Sequence, residues 1–205
     1  MRHLAIFGAS GHGKVVADAA ECSGWMVSFY DDNRAVGNNV NKWALKGTFQ
    51  DLISHLKKYD GVVVGIGNNA IRLEKSKELL EHAAPLVSII HPAATVSKYA
   101  QLKAGTVVVA GAVINVDARL GLACIINTGA TVDHDCVLED GVHISPGANL
   151  AGEVKVGQCS WIGIGSSVRQ QICIGSSVLV AAGATVVKDV ADNKVVAGVP
   201  ATSIR

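Results

Sequence analysis

The sequence predicts two parts: a small parallel-sheet α/β domain, Rossmann-like in its element order, over residues 1–84, and a parallel β-helix over residues 85–205. Three observations predict this. From residue 96 onward the chain repeats with a period of six. The segment before it alternates apolar runs, glycine loops and helical spacing. The composition suits short strands and tight turns, with 22 glycines, 4% aromatic residues and 17% charged residues in a chain of 205. Ordinary soluble domains carry roughly 25% charged residues.

The repeat is the strongest of the three. Stepping by six from Val96 gives Val96, Leu102, Val108, Ile114, Leu120, Ile126, Val132, Leu138, Ile144, Leu150, Val156, Ile162, Val168, Ile174, Val180 and Val186, sixteen aliphatic residues without a break. Two positions earlier the side chains are mostly small, as at Ala112, Ala118, Cys124, Ala130, Cys136, Ala148, Ser160, Ser166 and Ala184. The position after the aliphatic is often Gly, Asn or Asp, as at Asn115, Gly121, Asn127, Asp133, Gly157, Gly163 and Gly175. Those residue types predict left-handed φ there. An amphipathic helix fails, because six is not a multiple of 3.6. A triangular prism fits: six residues per side, eighteen per coil, the aliphatic inward on every side, and coils stacked roughly 4.8 Å apart. Such a prism is by itself only a scaffold, so function has to come from site residues.

In the N-terminal part, residues 3–7 read as a buried strand that enters the loop Gly8-Ala9-Ser10-Gly11-His12-Gly13. Residues 14–22 have helical spacing, 26–30 read as a second strand ending at Asp31-Asp32, and 59–69 as a third that runs into Gly65-Ile66-Gly67-Asn68-Asn69. A helix follows over 72–82. The first loop is GxxGxG and not the dinucleotide GxGxxG. Bare N–H groups at a helix start still bind phosphate, and acids at the end of the second strand are placed for ribose hydroxyls. A tight turn with solvated aspartates is the plainer alternative. Eighty-four residues suit a nucleotide diphosphate better than a dinucleotide.

The net charge of +1 favours neither nucleic acid nor an anionic membrane as partner. No apolar run reaches the about 18 residues a membrane span needs. Five cysteines, Cys22, Cys124, Cys136, Cys159 and Cys173, form no CxxC pair, which fits a reducing cytoplasm and not a disulfide framework. The opening residues read as a first strand and not as a signal peptide.

Ionisable residues interrupt the small-residue pattern at Asp133-His134-Asp135. His134 lies two residues after the inward Val132 and so points outward. A carboxylate beside it orients the ring and raises its basicity, and a neutral imidazole suits a general base for an amine attacking a thioester. His143 follows nine residues on, half a coil away. The two histidines of one chain therefore face opposite sides of the prism and can share a site only across a subunit interface. This predicts a homotrimer with active sites between subunits.

The stretches NTGATVDHDCVLEDGVHISPGA and SWIGIGSSVRQQICIG, the C-terminal AGVPA and the N-terminal GASGHG, YDD and GIGNN closely resemble the hexapeptide-repeat sugar N-acetyltransferases of bacillosamine and glycoprotein-glycan pathways, and the related sialic-acid O-acetyltransferases. The resemblance spans nearly the whole chain. It implies a left-handed β-helix and acetyl-CoA-dependent transfer, with no metal, to the 4-amino group of a UDP-linked amino-deoxy sugar. It further implies that His134 is the general base with Asp135 as its acidic partner. His143, Gly152, Ile164, Gly165 and Ala182 would meet acetyl-CoA; Ser10, Gly11, His12, Asp31, Asp32 and Gly67 would meet the sugar nucleotide. Ala182 stands where some relatives have glycine, so any role there is through the backbone. Trp161 is read as packing or as a wall of the CoA groove.

Four alternatives remain open on the sequence: a hydroxyl acceptor as in sialic-acid O-acetylation, a GDP-perosamine-type amino sugar, a metal hydratase of the γ-carbonic-anhydrase type, and a non-catalytic scaffold. The hydratase needs three zinc-binding histidines with a short H-x₄-H pair. His91, His134 and His143 lack that spacing.

Overall fold

The computed structural model describes residues 2–34 and 39–204. Its N-terminal part comprises β1 (Arg2–Phe7), α1 (Gly11–Cys22), β2 (Trp25–Tyr30), β3 (Leu45–Gly47), α2 (Phe49–His55), β4 (Gly61–Val64) and α3 (Asn69–Glu81). The four strands form one parallel sheet in the order β3-β2-β1-β4. The strands at 3–7 and 26–30 and the strand within 59–69 appear as expected. Both flanking helices start three residues earlier than their apolar spacing suggests. Ser10 and Asn68 stand at their N-caps in extended conformation, and Asn68 Oδ1 accepts the Ile71 N–H at 3.1 Å. The sequence reading missed β3 and α2. The first is three residues long, and the second is marked only by a capping box between Thr48 and Asp51.

One face of this sheet, with Leu4, Ile6, Val27, Phe29 and Val63, packs with Val16, Ala17 and Ala20 of α1 and with Ile89 and Val107 beyond it. The other face packs Phe7, Tyr30, Val62 and Val64 with Phe49 and Leu52 of α2 and Leu79 of α3. The chain then bridges Leu86 to Val62 before the coils begin.

From Ile89 onward, two-residue strands pair in parallel with partners eighteen residues away: Ile89 with Val107, Val107 with Ile125, Ile125 with His143, His143 with Trp161, and Trp161 with Leu179. Three sheets result. The first face begins at Ile89–Ile90, the second at Thr95–Val96 and the third at Gln101–Leu102. The six-residue aliphatics from Val108 to Val186 are all buried in one core running along the prism. Val96 and Leu102 are only partly buried, because no complete coil lies beneath them. Small polar residues inside satisfy themselves on corner carbonyls: Thr106 on Gly121, Cys124 on Glu139, Ser160 on Gly175.

The left-handed corner residues are not the ones expected. Positive φ falls three residues after each aliphatic, at Gly105, Gly111, Asp117, Ala123, Gly129, Asp135 and onward every six to Gly183. Where glycine stands immediately after the aliphatic, it serves by its smallness instead. A Cβ on Gly121 would stand 2.6 Å from the Asp140 backbone N, and one on Gly157 2.5 Å from that of Ser176. Glycine there lets the next coil stack at strand distance. Where Asn and Asp hold the position, they bond up the ladder, as Asn115 Nδ2 does to Asp133 Oδ1 at 2.8 Å.

Candidate active site

Four regions carry the candidate residues. The first is the carboxyl edge of the small sheet. The strand order reverses between β1 and β4, where ligands of open parallel sheets bind. Two glycine loops meet there. A Cβ on Gly13 would collide with the Gly8 carbonyl oxygen, and one on Gly8 with Ile66. Ser10 and Gly11 are exposed at the start of α1. No side chain caps that start and no acid lies in its first turn, so the arrangement suits an anion. Asp31 Oδ2 accepts the Ala9 N–H at 2.7 Å and Oδ1 the Asn33 N–H at 2.8 Å. Asp32 Oδ1 accepts the Phe49 N–H at 2.8 Å. Both aspartates thus shape the edge, and each keeps lone pairs for a hydroxyl.

The second region is a step on the first face. Its outward ladder runs Ile89, Val107, Ile125, His143, Trp161, Leu179. The exposures are 1%, 0%, 0%, 5%, 38% and 42%. The small domain covers the lower rungs and stops at His143. His12 and His143 meet at the inner angle, ring centroids 6.4 Å apart. Trp161 stacks on His143 at 4.7 Å and donates Nε1–H to Ser145 Oγ at 2.6 Å. His143 Nε2 lies 3.1 Å from Asn127 Nδ2. An amide nitrogen only donates, so the imidazole proton belongs on Nδ1. That Nδ1 and His12 Nε2 are buried with no hydrogen-bond partner, two polar atoms aimed into the angle.

Burial, reinforced by the Arg72 charge, pushes His12 down to about 4 and His143 to about 3. Both are neutral at pH 7. From pH 6.5 down to about 4 the unfolded chain takes up protons at these positions and the folded chain does not, so stability falls as pH falls through that window. Thermal melts between pH 7 and about pH 5 are expected to show a decline in Tm. The decline should be shallower in His143→Gln, which carries no titrating group there.

The third region is the corner after the first face, where Pro146, Ile164 and Ala182 stack at eighteen-residue steps. Gly165 donates its N–H to Pro146 O at 3.0 Å, and Gly183 its N–H to Ile164 O at 2.8 Å. Ile164 is 56% exposed and Ala182 is exposed beside it. Ile164, Gly165 and Ala182 come together here, next to Trp161 and Leu179.

The fourth region is the corner after the second face, and it holds His134. The ring is exposed, and its Nδ1 lies 2.8 Å from Asp135 Oδ2. A carboxylate only accepts, so Nδ1 carries the proton and Nε2 a free lone pair. Asp135 reaches the ring from a left-handed corner, φ 59°. Asp133 Oδ1 accepts the His134 backbone N–H at 2.9 Å. Gly152 lies directly under the ring, since a Cβ there would stand 2.5 Å from Nε2. The Asp135 hydrogen bond raises the His134 pKa above its ordinary value; desolvation opposes it, and the charges of Asp133, Asp135 and Glu153 add to the rise.

His134 and Gly152 are therefore on one corner, while His143, Ile164, Gly165 and Ala182 lie on the opposite face and its far corner. A single chain does not bring the two sets together. Cys124 and Cys136 are buried, with thiols pushed up to about 12 and about 11 by burial, which leaves them inert. Among the described residues no group of three or more His, Cys, Asp or Glu is arranged for a metal ion, and no helix is long and apolar enough to cross a membrane.

Arg72, Asn69 and Asn127 escaped the sequence reading. Asn127 carried a signal, since it sits at the ladder position shared by Asn115 and Asp133. Arg72 carried none, because the contacts that bury it against the coils, to Ala123 and Gly141, lie in distant turns.

A small parallel-sheet domain seated on a left-handed β-helix, with a histidine–carboxylate pair on an outer corner, defines the hexapeptide-repeat acyltransferase class. Residues 3–79 match the PglD N-terminal domain family. The acetyltransferase domain of PglB from Neisseria gonorrhoeae, solved with acetyl coenzyme A, is 43% identical and superposes with a TM-score of 0.95 over 99% of both chains. Perosamine N-acetyltransferase from Caulobacter crescentus, solved with CoA and GDP-perosamine, is 35% identical with a TM-score of 0.95, over 99% of this chain and 97% of that one. The UDP-N-acetylbacillosamine N-acetyltransferase of Bacillus subtilis is 35% identical over 121 residues, 54% of this chain; the match spans about half (52%) of that curated relative. The chain belongs to the sugar N-acetyltransferases.

Proposed function

We propose that this protein transfers the acetyl group of acetyl-CoA to the 4-amino group of a UDP-linked amino-deoxy sugar of the bacillosamine type. The observation that carries this function is the step on the first face. It sets a nucleotide-type loop edge beside an exposed apolar ladder, with two neutral imidazoles between them. The sugar nucleotide lies along Ser10, Gly11, His12, Asp31, Asp32 and Gly67. The CoA arm runs past Trp161, Ile164, Gly165 and Ala182. Three chains pack as a homotrimer, and His134, with Gly152 beneath it, enters the step from a neighbouring chain.

Transfer is direct. The sugar amine attacks the thioester carbonyl, His134 Nε2 takes the amine proton, backbone N–H groups hold the oxyanion, and CoA leaves as its thiolate. Asp135 holds the ring and stabilises the imidazolium that forms.

A second carrier has specific support: the Caulobacter relative was solved with GDP-perosamine. Thiol release from acetyl-CoA in the presence of UDP-, GDP- and CMP-linked amino sugars separates the carriers, and the UDP-4-amino sugar is expected to give the highest kcat/KM. Mixing His134→Ala and His143→Ala chains after unfolding and refolding tests the shared site. Sites that draw the intact residue from each chain should recover activity absent from either variant alone. No recovery, or an active particle of the 21.2 kDa chain mass, would sink the interface.

A further inference from the structure

Arg72 is fully buried with no carboxylate paired to it among the described residues, yet each of its five N–H groups has an acceptor. Nε donates to Ala123 O at 2.8 Å, and Nη2 to Gly141 O at 2.8 Å and Asn69 Oδ1 at 3.0 Å. Nη1 donates to Ile66 O at 3.1 Å and Gly67 O at 3.0 Å. Ala123 and Gly141 are adjacent coil corners of the β-helix, whereas Ile66 and Gly67 belong to the loop after β4 at the nucleotide edge. Asn69 continues the bridge, with Nδ2 donating to Cys159 O at 3.0 Å and Ser160 O at 3.2 Å.

We propose that Arg72 is a positioning residue, which locks the Ile66–Gly67 loop to the coil corners and so sets the distance between bound sugar nucleotide and the acetyl group at the step. Burying a cation costs several kcal/mol unless all its donors are met, and an apolar side chain would pack this joint at less cost. What the guanidinium adds is a planar fork with fixed donor directions. That fork ties three carbonyl-bearing turns from two parts of the chain at one angle. Its charge also helps keep His12 and His143 neutral, so the same residue keeps the imidazoles at the inner angle in their uncharged form.

The proposal rests on sugar-nucleotide binding at this edge. Its test uses Arg72→Lys and Asn69→Ala, with separate KM values for sugar nucleotide and acetyl-CoA, kcat, and Tm. Lysine keeps the charge but donates from a single point and cannot span both sets of carbonyls. Misplacement by about 1 Å costs on the order of 100-fold, so Arg72→Lys is expected to lower kcat/KM for the sugar nucleotide by about 10- to 100-fold while KM for acetyl-CoA stays within about twofold. Asn69→Ala, which leaves Arg72 four carbonyl acceptors, should show the same split at smaller size and remains informative if Arg72→Lys fails to fold. Folded variants with lowered Tm but unchanged sugar-nucleotide kinetics would overturn the positioning role. A wild-type protein that transfers acetyl groups to no nucleotide-linked amine, and binds none in calorimetry, overturns the underlying function and this proposal with it.

Discussion

His134→Ala is expected to lower kcat by about 10²–10⁴-fold, the usual worth of a positioned general base, with KM for acetyl-CoA little changed. The ring is exposed and packs on no core residue, so the variant should fold and melt like the parent. The pH profile provides a sharper check. The base proposed at His134 can act only when neutral, and its pKa is raised by Asp135 and the neighbouring carboxylates. Activity should therefore rise with pH through a value above 6.5. Removing the Asp135 charge lowers that pKa, so Asp135→Asn should move the acidic limb to lower pH. The plateau should also fall, because the amide no longer holds the ring with a charge-assisted bond. Near-normal kcat in His134→Ala, or an acidic limb that Asp135→Asn leaves in place, would remove His134 from the mechanism.

The second large effect concerns stability and contrasts two isoleucines. Ile126 is fully buried on the prism core, and Ile164 is 56% exposed at a corner. Ile126→Ala is expected to cost about 2–5 kcal/mol, since neighbouring coils are held at strand spacing and cannot close on the gap. Ile164→Ala should change stability by less than about 0.5 kcal/mol, although it removes part of the proposed CoA surface. Denaturant midpoints for the two variants at equal protein concentration make the comparison. Similar losses at both sites would contradict the phase of the six-residue repeat.

Much of this was legible locally. Val108 through Val186 announce their own burial, because a side chain every six residues takes the inward position on each successive side of the prism. The Gly8–Gly13 loop and the Asp31–Asp32 pair were readable because strand ends and helix starts have strong local chemistry. The corner glycines were read in the wrong place. Glycines after an aliphatic allow close stacking of coils, whereas the turn's positive φ falls two residues later, in places on Ala123, Glu153, Cys159 or Gln171, types that do not advertise it. β3 escaped for want of length.

The sequence by itself determined the coil, its period, which residues face inward, and the nine-residue separation that sets His134 and His143 on opposite sides. These follow from repeating local geometry. Only the tertiary structure decided that the small domain stops at His143, leaving Trp161 and Leu179 open, and that Arg72 ties Gly67 to Ala123 and Gly141. Those contacts join residues fifty to seventy positions apart. No local pattern encodes them, because burial and hydrogen bonding at the joint depend on how two separately formed parts meet.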